Sequence, residues 1–159
     1  TKIPKDKKGY FLLRHGDQVD RAHAPDFTQK AFEIIVSMKR GKEKDGVLVS
    51  HGGINSGYSL YLNDGRIVFA CRNNGDLKKI SSKKVLPSES ITITAKLKSD
   101  GLAQVFLDNQ LLIQSGSFEL IKTFPQDPLE VGNDSLSSVS DYQRRTKFKG
   151  EISKVLLRM

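Results

Sequence analysis

The chain has 159 residues, a formal net charge of +8, 37% apolar and 28% charged residues, one cysteine and no tryptophan. That length suits one domain with a buried core, and that composition excludes a disordered chain. No apolar run approaches the length of a membrane-spanning helix, and a lone cysteine excludes an internal disulfide or a cysteine zinc site.

Residues 1–9, with four lysines, read as a basic arm or linker, and residues 10–159 as one β domain. The amino end has no initiator Met and no apolar h-region, so it is not a signal peptide. It reads as a piece of a longer chain with a cut or linker just upstream. Tyr10–Leu13 reads as a short strand closed by His15-Gly16-Asp17, and Val19–Pro25 as irregular. Ala31–Met38 alternates strictly, with Phe32, Ile34, Val36 and Met38 on one face. Arg40–Gly46 is a turn, Gly46–Ser50 a nearly continuous apolar run of the kind found in central strands, and His51–Gly57 a loop.

Gly57–Arg72 is the strongest local signal. Two alternating runs flank Asp64-Gly65, and Asp-Gly between alternating hydrophobics specifies a two-residue type I′ hairpin. That turn pairs Asn63 with Arg66, Leu62 with Ile67, Leu60 with Phe69 and Tyr58 with Cys71. The last six form an apolar face, and Tyr61, Val68, Ser59, Ala70 and Arg72 the more polar one. Cys71 thereby reads as a small core residue.

Asn73–Asp76 is a second turn, followed by a strand over Leu77–Ser81. In Ser90–Leu97 the residues Ile91, Ile93, Ala95 and Leu97 alternate with polar ones. Ala103–Leu107 and Leu111–Gln114 form a hairpin over Asp108-Asn109. Phe118–Thr123 carries no clear pattern, Leu129–Val131 is a short strand, and Ser135–Arg145 is a polar loop. Phe148–Leu157 is the last strand, with Gly150 as a bulge or kink. Roughly ten short strands at regular spacing, with no long amphipathic helix, point to an all-β fold: a two-sheet antiparallel jelly-roll sandwich.

The string Asp45-Gly-Val-Leu-Val-Ser-His-Gly-Gly53, followed by Gly57-Tyr-Ser-Leu-Tyr-Leu-Asn-Asp-Gly65, resembles the concanavalin A/laminin G-like domain at the carboxyl end of bacterial arylsulfatases. Leu129–Asp134, Val139–Tyr142 and Phe148–Val155 fall in that family's order and spacing, and the resemblance covers about Val19 to Met159. It implies a secreted or periplasmic, non-catalytic module whose partner is the catalytic sulfatase domain of a parent chain. The sulfatase nucleophile motif, Cys or Ser-x-Pro-x-Arg, has no match at Cys71-Arg-Asn-Asn-Gly75.

Candidate chemistry is sparse. A glycoside hydrolase needs two facing carboxylates, and Glu33, Glu130 and Glu151 lie on different strands. His15, His23 and His51 read as loop or surface histidines, and Ser50-His51 has no third partner for a triad. Asn133, Asp134 and Asp141 share one loop and offer oxygens to a structural calcium, as laminin G-like domains often hold at a rim; the simpler reading is a turn cap. No other cofactor is indicated. Tyr61 and Arg72 are the ligand-binding candidates, Tyr as a stacking surface and Arg as a bidentate reader of sulfate or carboxylate. The basic balance suits a sulfated or acidic glycan, with no nucleic-acid motif and no membrane segment. Two readings follow: a module packed on a sulfatase domain, or an autonomous carbohydrate-binding module for sulfated or acidic glycans. Hydrolysis ranks below both.

Overall fold

The computed structural model describes residues 2–159, and strands are the only regular structure among them. The strands are β1 (Phe11–Leu13), β2 (Gln18–Val19), β3 (Phe32–Lys39), β4 (Gly46–Gly52), β5 (Ser56–Asn63), β6 (Arg66–Asn73), β7 (Asp76–Ser81), β8 (Ile91–Leu97), β9 (Ala103–Leu107), β10 (Gln110–Ser115), β11 (Leu129–Val131) and β12 (Glu151–Arg158). The first sheet runs β1-β12-β3-β8-β9-β10 and the second β2-β11-β4-β5-β6-β7, all antiparallel.

Turn chemistry sets three hairpins. Asp64 and Gly65 have φ of 51° and 80°, Asn74 and Gly75 49° and 83°, and Asp108 and Asn109 46° and 70°. Positive φ at both central residues is the type I′ signature, whose twist matches that of the flanking strands. The β5–β6 register pairs Asn63 with Arg66 and Tyr58 with Cys71, as the alternation predicts. Tyr58, Leu60, Leu62, Ile67, Phe69 and Cys71 therefore point into the core between the sheets. They meet the apolar face of β3 there: the Phe32 ring lies 5.0 Å from Tyr58 and edge-on to Phe69 at 6.3 Å.

Several elements differ from the sequence reading. The last strand starts at Glu151, and its bulge lies between Ile152 and Lys154. Gly150 serves close approach instead: a Cβ there would sit 2.3 Å from the Phe148 ring and 2.8 Å from the Lys39 carbonyl. Phe118 and Ile121 are buried without belonging to a strand, plugging the core from a loop. Ile3, within the stretch read as an arm, is also buried, and Leu12 N–H donates to the Pro4 carbonyl (2.9 Å). His51 is not in a loop; it lies in β4, whose seven residues are all buried.

The two sheets differ on their outer faces. On the second, Val47, Tyr61, Val68 and Ala70 form a small apolar cluster covered by Tyr142 from the 132–148 loop. That loop is a strap. On the first sheet, Glu33, Ile35 and Ser37 of β3 and Thr92, Thr94 and Lys96 of β8 face outward, with Tyr10 bonded to Glu33 at one end and Asp108 to Thr92 at the other. They are nonetheless half-buried, because a twisted, curled sheet shields its own side chains.

Phe69 lies at the centre of the hairpin and is fully buried. Phe69→Ala is expected to cost about 3–5 kcal/mol through lost transfer and cavity formation, read as a lower urea midpoint at unchanged m-value.

Candidate functional site

In the structure Tyr61 is buried beneath the 132–148 strap, while Arg72 beside it stays partly exposed. Period-2 alternation places them on the outer face of the second sheet, as expected, but the strap lies over them. Tyr61 is 4% exposed, its hydroxyl is 2.8 Å from Ser140 Oγ, and its ring meets Tyr142 edge-on at 4.8 Å. Arg72 donates from Nε to the Val139 carbonyl (2.7 Å) and from Nη1 to the Gly75 carbonyl (2.8 Å). Both side chains hold the strap.

Asn133, Asp134 and Asp141 belong to the same device. The Asp134 carboxylate accepts from the Tyr142 hydroxyl and from Val139 N–H (3.0 Å), and the Tyr142 hydroxyl also lies 2.8 Å from Ser59 Oγ. Asn133 Oδ1 accepts from Asp134 N–H, and its carbonyl accepts from Ser50 Oγ. Lys79 Nζ reaches both oxygens of Asp141, at 2.7 and 2.9 Å. Asp134 Oδ2, Asn133 Oδ1 and both Asp141 side-chain oxygens are engaged within the fold, and among the described residues no three His, Cys, Asp or Glu side chains converge as a metal-ligand group.

Burial pushes the Asp134 pKa up to about 6, against the lowering effect of its hydrogen bonds to Tyr142 and Val139. His51 is displaced the other way. Burial brings its pKa down to about 4, and neither ring nitrogen has a hydrogen-bond partner. The ring lies edge-on to Tyr58 and Phe124, at 5.6 and 5.7 Å. It is a core histidine, not the loop histidine expected. The Tyr58 hydroxyl is likewise unpartnered, and burial raises its pKa.

The open face of the first sheet holds the larger site. A cleft of about 370 Å³ at one end of β12, β3 and β8 is lined by Glu33, Lys96, Lys98 and Arg158 together with Ala31 and Met159. These charged residues come from three adjacent strand ends, with Arg158 paired in register with Glu33 and Glu33 with Lys96. Glu33 Oε1 accepts from the Tyr10 hydroxyl (2.7 Å) and from Arg158 Nη2 (2.8 Å). The Arg158 guanidinium lies 4.2 Å from the Tyr10 ring centroid, and Lys96 Nζ 5.2 Å from that of Phe106. The Glu33 hydrogen bond raises the Tyr10 pKa, which keeps its hydroxyl a donor. One carboxylate thus orients an arginine and a tyrosine, while Lys96 and Lys98 have no ion-pair partner among the described residues. The arrangement presents excess positive charge beside aromatic surface, which suits a carboxylate-bearing ring.

A second cleft, about 230 Å³, opens at the other end of the same face among Ser37, Thr92, Ser153, Asp108 and Glu151. Asp108 Oδ1 accepts from Thr92 N–H (2.8 Å) as a turn cap. The carboxylates weighed for hydrolysis are dispersed. Glu130 lies on the second sheet, held by Ser135 and Gln18. Glu33 and Glu151 pair with opposite ends of their neighbouring strands, roughly 20 Å apart along the sheet and beyond the separations glycosidases use.

The fold has known counterparts. The carbohydrate-binding module CBM40 of a Ruminococcus gnavus IT-sialidase superposes with a TM-score of 0.65 at 16% identity, over 93% of this chain and 88% of that one. The fold is a two-sheet jelly-roll sandwich of the concanavalin A/laminin G-like kind. Mouse laminin α1 domains LG4-5 match with a TM-score of 0.60 at 13% identity, over 99% of this chain and 44% of that one. A SAP-like pentraxin from Limulus polyphemus gives 0.57 at 15% identity, over 98% and 73%. No protein-family model and no curated protein sequence matches the chain.

The two displaced buried groups oppose each other in acid. Between about pH 4 and 6.5 the unfolded chain protonates His51 and the folded one does not, so this group makes stability rise with pH. Between about 4 and 6 the folded chain keeps Asp134 protonated and the unfolded one does not, so stability falls with pH. Each effect is on the order of 3 kcal/mol, and they largely offset. His51→Leu is expected to make stability decline from pH 4 to 6, and Asp134→Asn to make it climb, read by urea unfolding across that range.

Proposed function

We propose that this chain is a non-catalytic β-sandwich module that binds acidic carbohydrate on the outer face of its first sheet. The observation that carries the reading is the asymmetry of the two faces: one is strapped shut, and the other is open and ends in a cleft bearing Arg158, Lys96 and Lys98 beside Tyr10 and Phe106. Arg158 is preset by Glu33 to offer its remaining N–H groups to a carboxylate, with Lys96 adding long-range charge. The similarity in fold to a sialidase carbohydrate-binding module supports the same reading and points to sialylated or uronic-acid oligosaccharides as first probes.

The second reading is a domain packed on a sulfatase catalytic domain, carried by the sequence resemblance over 45–65 and 129–155. Under it the open face would be an intramolecular interface. Against it, the most exposed large apolar residues, Ile54, Leu136, Leu111 and Met159, sit on separate elements and not on one sheet face. A secreted or periplasmic setting belongs to either reading.

Titration calorimetry with sialyl and uronic-acid oligosaccharides, against neutral oligosaccharides of equal length, tests the proposal. Binding to the acidic probes is expected to fall at least tenfold in Arg158→Ala and in Lys96→Ala, and to be unchanged in Tyr61→Phe. Loss of binding in Tyr61→Phe with retention in Lys96→Ala would return the site to the second sheet.

A further inference from the structure

The end of the sandwich that carries the Asp64-Gly65 turn gathers cations from four separate segments. Backbone bonds bring those segments together: Gly65 N–H donates to the Lys44 carbonyl (2.8 Å), and Leu86 N–H donates to the Gly65 carbonyl (2.8 Å). Arg66 Nε donates to the Lys83 carbonyl (3.3 Å). Asp45 accepts from Asp64 N–H (2.9 Å) and lies 3.8 Å from Arg144. The cations so collected are Lys44, Arg66, Lys83, Lys84, Arg144 and Arg145. The acids among them are Glu43, Asp45 and Asp64, and two of these are engaged, Asp45 with Arg144 and Asp64 with Arg66. Lys44, Lys83, Lys84 and Arg145 are exposed and have no ion-pair partner among the described residues.

The patch is anchored as well as charged. Leu86 is buried, and Val85 packs on Gly65, where a Cβ would meet it at 2.6 Å. The loop backbones therefore hold the bases of these side chains at fixed spacing, so a bound polyanion orders side chains and little backbone. Val85 is the one exposed large apolar side chain of these segments, too little to insert into a bilayer. No aromatic residue occurs at 42–45, 64–66, 83–86 or 144–145, and the nearest, Tyr142, packs on the second sheet with its hydroxyl bonded to Asp134, so the patch offers little to stack a nucleobase. The ligand class that remains is a hydrated polymer with regularly spaced strong-acid groups.

We propose that this end of the sandwich is a second binding surface, for a linear sulfated polysaccharide, separate from the acidic-sugar cleft. It lies at the far end of β3 from Glu33, about 20 Å along the strand. It uses none of the cleft residues and stands or falls without them. Arginines at the turn and strap take sulfates bidentately, lysines add point charge, and displaced counterions supply much of the affinity.

The test is heparin binding by the full chain, measured across a salt series. Wild type is expected to bind with affinity falling steeply as salt rises. The variant Lys83→Ala, Lys84→Ala, Arg144→Ala, Arg145→Ala is expected to lose at least tenfold, with the log–log salt slope reduced by about 2–4, roughly one per lost contact. A charge-matched control, Lys2→Ala, Lys7→Ala, Lys8→Ala, Lys30→Ala, removes four exposed lysines from elsewhere and is expected to stay within twofold of wild type. Equal loss in both variants would show that net charge alone acts, and would overturn the proposal. So would absence of heparin binding, or binding to phosphatidylserine vesicles without binding to heparin. The charge reversal Lys83→Glu, Lys84→Glu gives a second check on the patch: retained heparin affinity there would equally sink it. Retained binding of the acidic oligosaccharide by these variants keeps this outcome distinct from that of the cleft.

Discussion

The hairpin β5–β6 is buried on both faces, and the rest of the architecture answers that constraint. An antiparallel pair ordinarily hides one face and wets the other. Here Tyr58, Leu60, Leu62, Ile67, Phe69 and Cys71 fill the space between the sheets, while Tyr61, Val68 and Ala70 on the reverse side are also removed from water. The first requirement is met by the opposing sheet and its Phe32. The second is met by the strap, which needs polar anchors because irregular backbone over a buried face must have its hydrogen bonds satisfied. Arg72 on the Val139 carbonyl, Ser140 on Tyr61, and Tyr142 between Ser59 and Asp134 supply them.

The strap makes the two sheets unequal, and that inequality locates the candidate site. With the second sheet covered by the strap, the strand ends of the first bring Glu33, Lys96 and Arg158 together at a cleft. Tyr61 and Arg72 both hydrogen-bond to the strap. The same closure leaves Asp134 in a site that favours its protonated form, while His51, sealed beneath the loops at the sandwich end, is kept neutral. Their opposite displacements are a by-product of burying polar groups at two unrelated places in one core.

Much of the fold was legible. Asp64-Gly65 and Asp108-Asn109 announced their hairpins, because positive φ at two successive residues is a demand few sequences meet. The alternation in β3 and β8 gave their core faces correctly. The Gly-Gly pair after His51 reads as a loop because glycine near a strand end resembles one; the extended chain runs through Gly52 to the Gly57 pairing instead. At Gly150 a bulge and a close approach both favour glycine, and only the Phe148 ring and the Lys39 carbonyl distinguish them. The cleft was not legible. Lys96 could be placed on an outward face from its strand's alternation, but its neighbours belong to strands far away in sequence, and β12 returns to pair with β3 only in the folded chain.

The sequence by itself determined the strands, most of their inward faces, the hairpin registers and the sandwich class. These depend on side-chain period and on the backbone freedom of single turn residues, which are local. The tertiary structure decided which strands are neighbours, which outer face the 132–148 segment covers, and where charges from distant strands and loops meet. These depend on contacts between residues tens of positions apart, whose partners no local pattern encodes.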